Sequence, residues 1–119
     1  MRDFRKYDVW HLGMNVCKQT YSILNKLPDI EKFNLRSQIS RSAVSIPSNI
    51  AEGCSRSSEK EFAHYIEISI GSSFELETQL QLIIELNYVN KDELNELLST
   101  IDLLQKKLNT LRTKLRKKR

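Results

Sequence analysis

The sequence predicts an all-α protein, a single antiparallel four-helix bundle with up-down-up-down connections. Three observations support this prediction: apolar residues recur at helical spacing in four segments, no segment shows the alternation of a strand, and the connections are short. A chain of 119 residues is long enough for one domain with one core. The helices are predicted over about 8–27, 34–52, 58–86 and 90–115 of a single domain that spans 1–119.

Capping residues and prolines mark the ends of the first two helices and an interruption inside the second. Asp8 is a candidate N-cap of the first helix, and Pro28 ends that helix at or before the preceding leucine. Inside the second helix, Pro47 has no N–H to donate to the carbonyl of Ala43, so a kink or a break is expected there. Gly53 is the expected C-terminal cap of this helix.

The third helix carries apolar residues around most of its circumference. It begins with the capping box from Ser58 to Glu61. Ile68 and Leu82 lie on a different face from the main apolar row, which indicates burial on two sides. In so small a chain, the second partner is expected to be another subunit. Gly71 would allow a helix of that subunit to approach closely.

The fourth helix has a regular apolar seam that begins after the candidate N-cap Asn90. Seven residues alternate spacings of three and four, as in a coiled coil: Leu94, Leu97, Ile101, Leu104, Leu108, Leu111 and Leu115. This helix therefore supplies one wall of the bundle.

Charge is distributed unevenly along the chain. Residues 106–119 contain eight basic residues and no acidic one, whereas residues 1–105 contain 11 Lys and Arg against 15 Asp and Glu. The basic tail, 112–119, can attract nucleic acid or an acidic partner, or it can be a solubilising helix end. The candidate phosphate-contacting residues are Lys106, Lys107, Arg112, Lys114, Arg116, Lys117, Lys118 and Arg119.

Motifs for catalysis, cofactors and metals are missing from the sequence. No glycine-rich phosphate loop occurs, and neither cysteine has a histidine close by in the chain. The Glu61-x-x-His64 spacing, which appears twice in di-iron bundles, occurs once here. We therefore expect no enzyme activity, no cofactor and no metal. Because Cys17 and Cys54 are too few for a disulfide scaffold and no signal peptide or membrane span is apparent, we expect a cytoplasmic protein with reduced thiols.

Glu75 and Glu77 lie on the third helix among apolar residues. A carboxylate in such a stripe is costly unless it is paired or hydrogen-bonded. Either the two side chains reach solvent at the edge of the stripe, or they join a buried polar network. In the second case the candidate partners are Arg36, Arg41 and Arg56.

The run QISRSAVSIPSNIAEG, residues 38–53, resembles the signature of the bacterial four-helix-bundle proteins encoded in intervening sequences of 23S rRNA genes. The resemblance extends to Glu61-Phe62, to Gly71-Ser72 and to ELETQL at 75–80. This family also includes the accessory variability protein of diversity-generating retroelements. The resemblance covers nearly the whole chain.

The resemblance implies a ring-like homopentamer whose shared motif residues are structural or lie at the oligomer interface. These residues are Arg41, Pro47, Asn49, Glu52, Gly53, Arg56, Glu61, Phe62, Gly71, Ser72, Glu75 and Glu77. The accessory-protein branch is strongly basic, binds nucleic acid and contacts a reverse transcriptase. This chain departs from that branch because its body is acidic.

Two functions follow as expectations. The first is a non-enzymatic accessory protein that binds RNA or DNA phosphates through the basic C-terminal end. The second is a protein–protein interaction scaffold without nucleic-acid binding, in which the tail serves solubility. Candidate partners are further copies of the chain, RNA or DNA, and a reverse transcriptase or another protein. Docking on a membrane is disfavoured, because the apolar seam of the fourth helix is needed in the bundle.

Overall fold

The computed structural model describes residues 1–117, and within them the chain contains four α-helices and no strand. The all-α prediction is thus confirmed. Single-turn 3-10 helices lie at Phe4–Lys6 and Asp29–Glu31. The α-helices are α1 (Asp8–Leu24), α2 (Leu35–Cys54), α3 (Glu59–Glu85) and α4 (Lys91–Lys117). None of them, within residues 1–117, is both long and apolar enough to cross a membrane.

The ends of α1 differ from the sequence prediction. Tyr7, not Asp8, occupies the N-cap position and makes no capping bond with its side chain. The helix ends at Leu24, three residues before the predicted end, because the next turn tightens and the N–H of Leu27 donates to the carbonyl of Leu24. Its apolar pattern continues through this turn, since Leu27 is still buried. Periodicity alone therefore placed the end too late.

Gly53 is part of α2 and is not the predicted C-terminal cap of this helix. No glycine in the described residues has a positive φ, and α2 ends one residue later with Ser55 as its C-cap. A Cβ atom at position 53 would lie 2.9 Å from Phe62 Cδ1 and 2.9 Å from Tyr65 Cβ. The glycine is thus required by the close approach of α3, because contacts this short do not occur for real Cβ atoms.

The core consists of aliphatic side chains from all four helices and one phenylalanine. The helix α1 packs against α2 and α4, and α3 packs against the same two helices. The predicted seam of α4 faces this core, with Leu111 half-buried and its other members buried. The largest fully buried side chains are Phe62, Ile39, Ile46, Ile50, Ile66, Leu76, Leu80, Ile83, Leu94, Ile101, Leu104 and Leu108.

The helix α2 continues through Pro47 without a break. The carbonyl of Ala43, which Pro47 leaves without its helical donor, accepts a hydrogen bond from the Cys17 thiol of α1 at 2.9 Å. Burial raises the pKa of the Cys17 thiol to about 11, so the proton that it donates remains bound at neutral pH. The compensating donor therefore comes from another helix, whereas a bend of α2 at Pro47 stays a prediction.

Hydroxyl groups line the contact between α2 and α3. The Ser42 hydroxyl donates to Glu75 at 3.0 Å, and Ser45 and Ser72 share a hydrogen bond of 2.8 Å. One turn further, the Ser69 hydroxyl donates to the carbonyl of Ile46 at 2.9 Å. Residue numbers rise along α2 as they fall along α3, so these two helices run in opposite directions.

The arginine partners predicted for Glu75 and Glu77 were wrong. Glu75 is exposed and accepts from Ser42, as described above, and Glu77 accepts from the Gln105 amide of α4 at 3.0 Å. Arg36 instead donates to the carbonyl of Leu27 at 3.0 Å. Arg56 pairs with Glu52 at 2.6 Å and donates to Tyr65 at 2.8 Å, and Arg41 is exposed. Arg36 and Arg56 thus contact groups other than Glu75 and Glu77.

We expect the replacement of Cys17 by valine to destabilise the protein, because it leaves the Ala43 carbonyl without a donor. The expected loss is about 1–3 kcal/mol. In a Pro47→Ala background the restored N–H of residue 47 can bond to that carbonyl, so the loss should be smaller by about 1 kcal/mol. Urea unfolding of the wild type, Cys17→Val, Pro47→Ala and the double variant, all at one protein concentration, measures the coupling between positions 17 and 47.

The matched control is Cys17→Ser, which retains a donor of similar size and should cost less than Cys17→Val in the native background. An equal loss for Cys17→Val in both backgrounds would show that the thiol does not compensate for the proline.

Candidate nucleic-acid interface

The predicted basic residues lie on the last three turns of α4, but they do not form one surface. The apolar seam of this helix faces the core, so its basic residues must occupy the remaining faces. They point in three directions: toward α1, toward α3 and away from the bundle. Lys118 and Arg119, which were also predicted to contact phosphates, lie outside the described residues.

On the side of α1, Lys107 pairs with Asp8. The Lys107 Nζ atom donates to Asp8 Oδ2 at 2.7 Å, across the first turn of α1. This hydrogen bond is the main reason that the pKa of Asp8 lies below its ordinary value of 3.8. Lys107 therefore contributes little free positive charge at this end of the bundle.

On the side of α3, two arginines share one carboxylate. Arg112 Nη1 lies 3.2 Å from Glu67 Oε1, and Arg116 Nη2 lies 2.9 Å from the same oxygen. Arg112 also donates to the Asn109 side chain at 2.6 Å. One negative charge thus faces two positive charges, which leaves a net charge of about +1 at this corner.

The outward-facing lysines differ in their partners. Lys106 pairs with Asp102 one turn earlier in the same helix, at 3.0 Å. Lys114 and Lys117 are exposed, and within residues 1–117 no carboxylate lies within ion-pair distance of either. These two lysines are the described cations of this end that are free to meet an anion.

Sequence reasoning missed the contribution of the N-terminus to this end. Arg2 and Tyr7 line a cavity of about 470 Å³ together with Lys114 and Lys117. Glu59 also lines this cavity and pairs with Arg2. The signal was available in the run Arg2 to Lys6, because the predicted up-down-up-down order would bring the start of the chain to the same side as the last turns of α4.

The family-like motif lies elsewhere, along α2 and the facing half of α3. Its members are mostly engaged within the chain, through the hydroxyl contacts, the Arg56 pair and the packing of Gly53 described above. Pro47, Gly53 and Phe62 are buried; Asn49, Arg56, Ser72 and Glu77 are half-buried; and Arg41, Glu52, Glu61, Gly71 and Glu75 are exposed.

Titratable side chains offer no cluster of metal ligands in the part of the chain that the structure describes. There, no three His, Cys, Asp or Glu side chains are arranged to hold an ion. The Glu61-x-x-His64 pair stands on an exposed face, where Glu61 serves as the capping partner of Ser58.

These features define a small helical protein with basic side chains where the first residues of the chain meet the last described turns of α4. The chain belongs to the 23S rRNA-intervening sequence protein family, whose model matches residues 5–110. The resemblance carried by the QISRSAVSIPSNIAEG run is thereby confirmed, whereas the relation to the retroelement accessory protein stays a prediction. No curated protein matches the chain.

We expect Lys107→Gln to raise the pKa of Asp8 toward its ordinary value of 3.8, because the main cause of the lowering is the hydrogen bond from Lys107. Because the pKa of Asp8 is lowered, its pairing stabilises the folded state at pH values above 3.8. This contribution is lost as the pH falls through the lowered pKa of the folded state. NMR titration of the Asp8 carboxyl carbon measures the shift. Lys106→Gln, which removes an equal charge one residue away, should leave Asp8 unchanged. An Asp8 titration that is insensitive to Lys107→Gln would contradict the pairing.

Proposed function

We propose that the protein is a non-enzymatic, homopentameric four-helix-bundle protein that binds nucleic acid through its basic C-terminal end. The observation that carries the proposal is the pair Lys114 and Lys117, two exposed lysines without a carboxylate partner in residues 1–117, beside Arg2. The family description, which names an intervening sequence of 23S rRNA, supports an RNA-related role. RNA is therefore the first nucleic acid to test.

Binding would use phosphate oxygens rather than base edges. Lysine is a point charge on a flexible stem and suits the phosphate backbone, where it confers little sequence preference. Tyr7 is half-buried and packs edge to face on Phe62 at 5.6 Å, so it is not available as a stacking platform. We therefore expect salt-sensitive binding that tolerates many sequences.

The ion pairs at this end set how much charge is available. Glu67 neutralises one of the two positive charges of Arg112 and Arg116, so full use of both arginines would require a phosphate to exchange with this carboxylate. Exposed ion pairs are weak, so this exchange lowers affinity by about two- to fivefold rather than preventing binding. Glu67 consequently acts as an internal competitor of the ligand.

The proposed assembly rests on the order of the helices and on exposed apolar residues of α3, among them Ile68, Phe74 and Leu82. Between α2 and α3, the hydrogen-bonded residues rise in number along one helix as they fall along the other, as an up-down-up-down bundle requires. The pairs between α1 and α4 do the same: Asp8–Lys107, Gln19–Thr100 and Lys26–Glu93. A pentamer would repeat the eight basic residues of the C-terminal end five times around one ring.

A protein–protein scaffold is the second candidate, and a specific observation favours it. Four of the six basic residues described in this end already pair with carboxylates of the same chain: Lys106, Lys107, Arg112 and Arg116. Such pairing is what a solubilising helix end would show. In this case the partner would be a reverse transcriptase or another protein, and phosphate binding would be absent.

Fluorescence anisotropy with labelled RNA and DNA over a salt series distinguishes the two candidates. We expect the double variant Lys114→Glu/Lys117→Glu to lose most of its affinity and to show a salt slope reduced by about 1–2. Glu67→Gln should bind about two- to fivefold more tightly, because Arg112 and Arg116 are released. A chain that ends at Leu111 should not bind.

The matched control is Lys91→Glu, which reverses an exposed lysine at the other end of α4 and should leave affinity nearly unchanged. Because truncation also removes the buried Leu115, the double variant decides the question when the shortened chain unfolds. Absence of binding at low salt by the folded full-length chain would overturn the nucleic-acid proposal.

A further inference from the structure

Two strongly exposed apolar side chains stand on the connection between α1 and α2. Ile30 is 84% exposed and Phe33 is 89% exposed, more than any other large apolar residue of the described chain except Met1. Single exposed apolar residues are common on protein surfaces, but adjacent ones that are almost entirely exposed indicate an interaction site. Ile30 and Phe33 are called the apolar tip below.

The connection that carries the apolar tip is held firmly in place. In its 3-10 turn, the N–H of Glu31 donates to the carbonyl of Pro28 at 2.9 Å. The next N–H, that of Lys32, donates to the carbonyl of Asp29 at 3.0 Å. The Glu31 carboxylate also accepts a hydrogen bond from the Tyr88 hydroxyl at 2.9 Å, which joins this connection to the turn between α3 and α4. A tip that is fixed before binding loses little conformational entropy when it binds.

The two side chains of the apolar tip point in the same direction. They are three residues apart, and the 3-10 turn continues through Lys32 with helical angles, φ −55° and ψ −44°. At this spacing the side chains of a 3-10 turn lie directly above each other. Leu86, which is 44% exposed, stands on the neighbouring turn after α3. The tip is therefore a small convex apolar projection, a shape that fits a pocket in another molecule.

The apolar tip lies at the opposite end of the molecule from the basic residues of α4. Lys26 pairs with Glu93 at the end that carries the tip, whereas Lys107 pairs with Asp8 at the basic end. The described residues extend 46 Å along the long axis. A partner at the tip therefore does not compete with nucleic acid at the basic end, so this inference does not rest on the nucleic-acid proposal.

Charges of both signs surround the apolar tip. Asp29 and Lys32 are exposed beside it, and neither forms an ion pair within residues 1–117. The Lys32 Nζ atom lies 5.4 Å from the centre of the Phe33 ring. Over residues 25–36 and 85–93, four basic residues stand against five acidic ones. This balance does not suit nucleic acid or an anionic bilayer, which are negative throughout, but it suits a protein surface that carries both signs.

We propose that the apolar tip docks in an apolar pocket on a folded protein other than this chain. The pocket accepts the Phe33 ring with Ile30 beside it. Its rim carries a basic group opposite Asp29 and an acidic group opposite Lys32. An aromatic anchor in a pocket, enclosed by a polar rim, provides most of the binding energy in many protein interfaces. The two ends of the molecule would then serve different partners.

Photocrosslinking identifies what covers the apolar tip. In the cells that make the protein naturally, p-benzoylphenylalanine replaces Phe33 in the full-length chain. In the matched control it replaces Phe74, a 59% exposed phenylalanine in the middle of α3. We expect irradiation to join position 33, but not position 74, to one protein of different sequence. Mass spectrometry of the adduct gives the identity of that protein.

Calorimetric titration of the purified captured protein then tests the contact itself. Ile30→Lys and Phe33→Lys should each lower affinity at least about tenfold, because each removes an anchor and places a charge against an apolar pocket. Asp29→Asn should lower affinity about two- to fivefold, as expected for a charge at the rim. Leu103→Lys alters a 45% exposed leucine of α4 and should bind as the wild type does. All four positions are exposed, so the variants should unfold at the urea concentration of the wild type.

The inference is overturned by any other occupant of the apolar tip. Crosslinks from position 33 only to further copies of the chain would show that the tip is covered within a homo-oligomer. Crosslinks to nucleic acid would replace the protein partner by a phosphate backbone. Cosedimentation of the wild type, but not of Phe33→Lys, with vesicles of phosphatidylcholine and phosphatidylglycerol would replace it by a lipid surface.

The absence of an adduct at position 33 would show that the apolar tip has no partner. A captured protein that is joined equally to position 74, or that binds Ile30→Lys and Phe33→Lys as tightly as the wild type, would show that the tip is not the docking point.

Discussion

Close packing of α2 between α1 and α3 is the constraint on which the rest of the fold depends. A Cβ atom on Gly13 of α1 would lie 3.4 Å from the Pro47 backbone, and Gly53 allows Phe62 of α3 an even closer approach. Large side chains at these two glycines would separate the three helices. Because backbones so near one another must satisfy their polar groups, the thiol of Cys17 and the hydroxyl of Ser69 both donate to α2 carbonyls. Small residues, a proline and polar donors from three helices therefore act together where α1, α2 and α3 pack.

The dependence of these contacts on residues from different helices explains which parts of the structure were predictable. The seam of α4 and the cap at Ser58 depend on residues near one another in the sequence, and both appear as expected. The role of Gly53 depends on Phe62 and Tyr65 across a turn, so the residue looked like a helix cap when only its neighbours were considered. The donor to Ala43 comes from Cys17, 26 residues away, and no local rule selects it. Long-range contacts, rather than local propensities, thus decide both of these features.

Contacts between residues distant in sequence also decide the charge of the basic end. Counting charges along the chain found the basic residues of α4, but their effect depends on what the fold places beside them. The structure brings Asp8 and Glu67 from two other helices to this end, where they partly neutralise it. It also brings Arg2 close to Lys114. Sequence composition thus located the basic residues of this end but overestimated how many of these cations are free of a carboxylate partner.

A single copy offers few available cations, and this links binding to assembly. The unpaired Lys114 and Lys117 and the partly paired Arg2 would neutralise about two or three phosphates, which would give weak binding at physiological salt. Repetition around the proposed ring would strengthen this binding, because one strand of nucleic acid could then contact several copies at a high effective concentration. In the proposed homo-oligomer, assembly would therefore multiply the cations that a single copy lacks.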